Sequence, residues 1–255
     1  MKRTVFIVLL LFVVTCGTVF AEDYTQLLRA VDGLATFENS DFSAEYTIVE
    51  EKPGEGRSTT VVAIFRRDRK QKYLILVLEP EIERGQGYLK LEETLWFYDP
   101  ESRRFNFTHA RERFQNTNAR NSDFTRSTLA EDYNVISGQR VKLGRFDCRL
   151  LDLRANNDQV TFPIMRVWIS DDNLLRKTED YSLSGQLLRT MAIPSYQKVR
   201  SRYIPRAILI VDNLKGAVVK GTFVNEKTQI TITRPSLKVL PNNLFTKAFL
   251  ESMGR

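Results

Sequence analysis

Apolar residues recur at helical spacing near the start of the chain and at every second position through most of the rest. Across residues 24–37, Leu27, Leu28, Val31 and Leu34 fall on one helical face. This predicts an amphipathic helix that needs an apolar surface to lie on. Glu38-Asn39-Ser40-Asp41 ends it. Strand patterns follow over residues 42–50, 58–66 and 73–78, separated by Pro53-Gly54-Glu55-Gly56 and a basic turn at residues 67–70. Close-set runs broken by Gly, Pro and Asp predict an antiparallel meander. Residues 73–78 are apolar on both faces, so the second face must also be covered, by neighbouring helices or by a bound ligand.

The run Leu95-Trp96-Phe97-Tyr98 suits a pleated strand. Asp99 and Pro100 then fit the first two positions of a type I turn. Beyond the turn, Phe105, Phe107 and His109 alternate with polar residues, which completes a hairpin. Residues 110–133 break the rhythm. They are rich in Arg, Asn, Ser and Thr, carry Phe114 and Phe124, and predict a long loop that is either a lid or a surface excursion. Within it, Ser127 is positioned to cap a short helix. The meander resumes over residues 139–143, 147–154, 164–169, 175–181, 187–193, 203–211 and 217–224. Between the later runs, Asp171-Asp172-Asn173, Ser184-Gly185, Asp212-Asn213 and Lys215-Gly216 read as turns. A last helical pattern places Leu244, Phe245, Ala248 and Phe249 together after Pro241.

Lys2-Arg3, the apolar residues 5–14 and Val19-Phe20-Ala21 have the order of a secretory signal. A lasting transmembrane helix would need roughly 20 apolar residues. Cleavage after Ala21 is expected, with lipidation of Cys16 as the alternative that would anchor the chain. The expected organisation is a signal peptide over 1–21 and a single domain over 22–255, exported to the periplasm. Of the two cysteines, only Cys148 then remains, so no intramolecular disulfide can form. The chain carries a net charge of +7. Loss of Lys2 and Arg3 leaves a modest positive charge, which suits either anionic headgroups or plain solubility.

Catalytic chemistry is sparse. His109 is the only histidine and falls in an alternating strand, with no nucleophile elbow around any serine. One histidine and one cysteine cannot build a zinc site. Asp171-Asp172-Asn173 lacks the distal glutamate of a calcium loop, and Gly85-x-Gly87 lacks the third glycine of a phosphate loop. Acids distant in sequence could still meet as a hydrolytic pair. The reading is therefore non-enzymatic, with no metal, no cofactor and no nucleic-acid partner.

Thr94-Leu95-Trp96-Phe97-Tyr98-Asp99-Pro100 resembles the strand-turn signature of the LolA/LolB-like family of periplasmic lipoprotein carriers. Lys72-Tyr73-Leu74-Ile75, Gly85-Gln86-Gly87-Tyr88-Leu89, and the stretch from Trp168 through Ser184-Gly185 to Ile204-Pro205 resemble segments of its outer-membrane lipoprotein-sorting branch. Asn121-Ser122-Asp123-Phe124 resembles that branch's Gly-Ser-Asp-Phe, with Asn in place of Gly. The resemblance implies a mainly β fold: a strongly curved antiparallel sheet forming an unclosed β-barrel, with amphipathic helices over its open side. It implies a hydrophobic cavity for the acyl chains of lipoproteins or lipids, an inner-membrane ABC exporter that delivers them and an outer-membrane acceptor. Leu76, Leu95, Phe97 and Ile169 are the cavity candidates, chosen because their strands carry surplus apolar faces. Ile64-Phe65-Arg66-Arg67 resembles a family strand whose last arginine hydrogen-bonds the lid helices. Asp68 stands where that pattern has Pro, so Arg67 is either a lid-gating residue or half of a local Arg–Asp pair. A sensing or partner-binding domain of the same fold, and an exported hydrolase, are the alternative functions.

Overall fold

A computed structural model describes residues 23–254; the expected signal at 1–21 and Cys16 lie outside the described residues. Helix α1 (Tyr24–Ala35) comes first, capped by Asp23, whose carboxylate accepts from the amides of Thr25 and Gln26 at 3.0 and 3.1 Å. Six strands follow: β1 (Phe42–Lys52), β2 (Gly56–Arg67), β3 (Lys72–Glu79), β4 (Gly87–Leu91), β5 (Thr94–Asp99) and β6 (Arg104–Thr108). After a long connection holding the short helix α2 (Leu129–Asp132) come β7 (Tyr133–Leu143), β8 (Phe146–Ala155), β9 (Ile164–Ser170) and β10 (Leu175–Tyr181). The chain ends with β11 (Leu187–Val199), β12 (Arg202–Val219), β13 (Thr222–Ser236) and helix α3 (Lys247–Met253).

Among the described residues, the thirteen strands form one antiparallel sheet in the order β6-β5-β4-β3-β2-β1-β13-β12-β11-β10-β9-β8-β7. The sheet does not close, because β6 and β7 remain its two edges. The expected mainly β, unclosed-barrel architecture is therefore what the chain adopts. Two sequential meanders are joined where β1 pairs with β13, with Tyr46 opposite Ile232 and Ile48 opposite Ile230. β13 lies largely outside the strands expected from the sequence. The expected turns at Asp212-Asn213 and Lys215-Gly216 are a bulge inside one continuous strand, β12, between Val211 and Gly216.

Cross-strand registers assign each side chain to a face. The inner face runs through Phe97, Tyr88, Ile75, Ile64, Tyr46, Ile230 and Ile210 on one side. It continues through Met191, Thr178, Val167 and Leu151 on the other. Helix α1 lays Leu27, Leu28 and Val31 against Leu151, Leu153, Val167 and Ile169. The outer face is covered near β3–β5, where Leu244, Phe245 and Leu250 pack on Leu74, Leu76, Leu89 and Tyr98. This answers how β3 can be apolar on both sides: the C-terminal helical segment covers the second face. Gly87 permits that approach, since a Cβ there would collide with a methyl of Leu250.

Arg67 locks this outer layer. Its guanidinium donates to both carboxylate oxygens of Asp41 (2.8–3.2 Å), to the Asn242 side chain at 2.6 Å and to the Leu240 carbonyl, and stacks on Phe245. Asp41 is fully buried. Burial alone would raise its pKa, but the bonds from Arg67 and the Leu240 amide, with the charges of Arg67 and Arg69, outweigh that and hold it below 3.8. Replacing Arg67 with Ala leaves Asp41 buried beside the more exposed Arg69 alone. Urea denaturation at neutral pH should show a loss of about 3–5 kcal/mol. Because the folded-state pKa is depressed, the pair's contribution is present above 3.8 and is lost as pH falls through the folded value. The difference between wild type and Arg67→Ala should therefore shrink in strong acid.

Candidate functional site

The connection between β6 and β7 enters the concave side of the sheet. Phe114, Ala119 and Phe124 are buried, as are the polar Thr117, Asn118 and Asn121. The expected lid or surface excursion is, over residues 112–124, an internal plug. The Phe114 amide donates to the Ala119 carbonyl and the Thr117 amide to that of Phe114, closing a tight turn. Phe114 packs on Tyr88 and Phe124, ring centroids 4.9 and 4.8 Å away, and Phe124 reaches Tyr46. Burial pushes the phenols of Tyr46 and Tyr88 up to about 12, so both stay neutral against these rings.

Polar groups fix the plug at three points. Asn118 donates through its side chain to Glu50 at 2.6 Å and through its amide to the Thr228 hydroxyl at 2.9 Å, while Thr228 donates to Glu50. Arg113 pairs with Asp212 and donates to Asn118 at 2.8 Å. Arg189, buried on β11, bonds Asp123 at 2.7 and 3.1 Å and Asp180 at 2.7 Å. Asn121 does not occupy the left-handed region; its side-chain amide instead donates to the His109 carbonyl at 2.9 Å. The last part of the connection is half-buried and held by side chains to α1 and α2. There, Asp32 of α1 accepts from the Ser127 hydroxyl and from the amides of Leu129 and Ala130, so α2 is capped from another helix rather than by Ser127.

Between the plug, α2 and the sheet lies a cavity of about 570 Å³. Tyr73, Phe162, Met165, Leu175 and Met191 give it apolar walls, and Arg66 and Arg189 are among its polar ones. Both arginines are neutralised, Arg66 by Asp68 at 2.7 Å and Arg189 by its two aspartates. Arg66 also donates to the Ala35 carbonyl at the end of α1. The arginine that reaches a covering helix is thus Arg66, whereas the bonds of Arg67 go to Asp41 and the C-terminal segment.

Leu95, Phe97 and Ile169 share the inner face, but none lines this cavity. Leu95 is buried in the cluster around the plug, Phe97 packs against that cluster with its ring tilted against Tyr88, and Ile169 lies under α1. Leu76 points to the outer face beneath Leu250. The cavity residues Phe162, Met165 and Met191 escaped sequence reasoning; Met165 lay inside an expected strand, where its alternation with Arg166 and Val167 would have placed it on the same face as Val167. Among the described residues, no group of three or more His, Cys, Asp or Glu could hold a metal.

A family profile described only as an uncharacterized protein matches residues 69–252. The chain belongs to that family. No curated protein matches it. Three solved structures are similar over nearly their whole length. A LolA superfamily protein from Nitrosomonas europaea is 22% identical, with 88% of this chain and 97% of that one covered and a TM-score of 0.72. An outer membrane lipoprotein-sorting protein domain from Vibrio parahaemolyticus is 16% identical, with 89% and 97% covered and a TM-score of 0.75. A DUF1329 family protein from Desulfovibrio piger is 16% identical, with 89% and 97% covered and a TM-score of 0.77. This chain therefore has the fold of these LolA-superfamily and lipoprotein-sorting structures.

The buried anchors predict slow exchange in the plug. In amide hydrogen exchange, Phe114, Asn118 and Asn121 should be protected to nearly the same degree as β1 and β13, while residues 125–128 exchange orders of magnitude faster. Equal, fast exchange across 112–128 would contradict the anchoring.

Proposed function

We propose that this chain is a non-enzymatic periplasmic carrier that binds acyl chains of lipoproteins or lipids and moves them from the inner to the outer membrane. The observation that carries this reading is the cavity on the inner face of a LolA fold, walled by Tyr73, Phe162, Met165, Leu175 and Met191. Its volume falls within the usual ligand range of about 300–1,000 Å³. Each methylene buried there contributes ~0.8 kcal/mol, so one chain can be held without covalent attachment. In this reading residues 1–21 direct export and 22–255 act as one carrier domain. Leu95, Phe97 and Ile169 extend the binding surface when the plug is withdrawn, and an inner-membrane ABC exporter and an outer-membrane acceptor are the partners. Leu76 has no place in it, since it faces the C-terminal helix.

The ion-paired plug favours a second reading, in which the same fold senses lipid or a partner in the envelope without carrying cargo. A transfer assay between donor and acceptor membranes separates the two, because only a carrier moves labelled lipoprotein.

Native mass spectrometry and organic extraction of protein purified from its host should reveal co-bound acylated lipid. Met191→Trp, which fills the cavity from a half-buried position, should lower that occupancy about ten-fold while shifting Tm by only a few degrees. Unchanged lipid content in the folded variant would place the acyl chains elsewhere.

A further inference from the structure

The β12–β13 hairpin extends past its ladders with β11 and β1 as a two-stranded finger, with Val219 and Val224 facing the β1–β2 turn across a shared groove. On one side β12 pairs with β11 only as far as Asp212 opposite Arg189. On the other, β13 pairs with β1 only as far as Lys227 opposite Glu51. The two finger strands nevertheless stay paired from Gly216–Asn225 out to Val219–Thr222. A two-stranded ribbon in water is marginal on its own, so its base must be held. Asp212 does this: its carboxylate accepts from the amides of Leu214 and Lys215 at 2.9 and 3.0 Å, and its carbonyl accepts from the Asn225 side chain.

The finger presents apolar side chains to solvent. Val218 and Phe223 are cross-strand partners on one face, 70% and 53% exposed, and Leu214 at the base is 50% exposed. Gly216 lies beneath the Phe223 ring, whose edge would be 2.9 Å from a Cβ at that position. A Cβ there would also collide with the Val224 carbonyl oxygen, so the close approach of β13 and the Phe223 ring requires a residue without a side chain. Lys215, Lys220 and Lys227 are exposed around these residues. Apart from the buried Asp212 at its base, the finger's acidic residue is Glu226, which lies 4.0 Å from Arg113. The half-exposed Glu51 opposite Lys227 is itself paired with Arg57 at 3.2 Å, and apolar side chains ringed by lysines, with no exposed acid on the finger itself, match the cross-section of an anionic bilayer surface: phosphodiesters at the level of the ammonium groups, acyl chain beneath. A stable protein partner would instead require about 800 Å² of complementary surface, more than so narrow a ribbon tip offers.

We propose that the β12–β13 finger docks the protein on anionic membrane, with Val218 and Phe223 entering the interface and Lys215, Lys220 and Lys227 bonding lipid phosphates. The proposal does not depend on what the inner cavity holds.

Vesicle co-sedimentation tests it with the purified full chain. Vesicles of phosphatidylcholine containing phosphatidylglycerol should bind the protein, and pure phosphatidylcholine vesicles should bind at least about ten-fold less. The Val218→Ser/Phe223→Ser double variant should lose about ten-fold in affinity at unchanged Tm. Lys215→Gln/Lys220→Gln should flatten the salt dependence. Since removal of the Phe223 ring could loosen the ribbon, Val218→Ser alone serves as a second variant. Phe223→Trp supplies a direct reporter, whose emission should shift to the blue when anionic vesicles are added. Wild-type protein that ignores anionic vesicles, serine variants that bind like wild type, or a Phe223→Trp variant whose indole emission is unchanged by lipid would each overturn the proposal. So would a finger that is shielded only by another envelope protein.

Discussion

The pairing of β1 with β13 holds the architecture together. Every other strand pair joins neighbours in sequence, but this one brings residues 43–51 to residues 227–236. Without it there would be two separate meanders, each with an apolar inner face and an additional bare edge. An exposed apolar edge invites intermolecular pairing, so correct folding depends on a contact that forms only after almost the whole chain is available. Such long-range pairing is entropically slow to form. Once formed, it sets the register on both sides. Ile230 and Ile232 face inward beside Ile48 and Tyr46, and every inner-face assignment propagates from that alignment.

This dependence also explains what was legible in the sequence. Local patterns gave the first helix, the hairpin at Asp99-Pro100 and nearly all the other strands, because turn chemistry and alternation are local properties. The Asp99 side chain, for example, accepts from the Glu101 amide and the Ser102 hydroxyl as an Asx turn should. β13 was missed although Gln229-Ile230-Thr231-Ile232-Thr233 alternates cleanly. Reading Asp212-Asn213 and Lys215-Gly216 as turns placed a strand end in the middle of β12, and the following run then fell out of phase. Asp212 has turn chemistry, but it serves a bulge, a distinction made by the neighbouring strands and not by the residue itself.

The candidate site was less legible for a related reason. An apolar strand announces that both of its faces are covered, but not by what. Tyr73–Leu78 reads as surplus apolar surface until Leu244, Phe245 and Leu250 are seen against its outer side. The connection after β6 reads as a polar excursion because its anchors are polar: Asn118, Arg113 and Asp123 satisfy buried partners on strands distant in sequence. Composition therefore pointed toward the surface while pairing carried the segment inside. Only Phe114 and Phe124, apolar residues stranded in a polar run, carried a local signal of burial.

The same anchors decide where cargo could be accommodated. Withdrawing the plug breaks two ion pairs, Arg113–Asp212 and Asp123–Arg189, at roughly 3–5 kcal/mol for each buried charge that loses a partner, and it removes Asn118 from Glu50; Arg189 keeps Asp180. It also uncovers Phe114 and Phe124, at about 1.5–3 kcal/mol each. The total, of the order of 10 kcal/mol or more, is comparable to what a single long acyl chain gains at ~0.8 kcal/mol per methylene. One chain therefore has no margin for expelling the plug, whereas the cavity walled by Met165, Leu175 and Met191 is already open beside it. Two or three chains entering together would gain enough to displace the plug and reach Phe97 and Leu95. Under the proposed carrier function, the balance between ion pairs and methylenes makes the number of acyl chains the variable that selects between a filled and an emptied inner face.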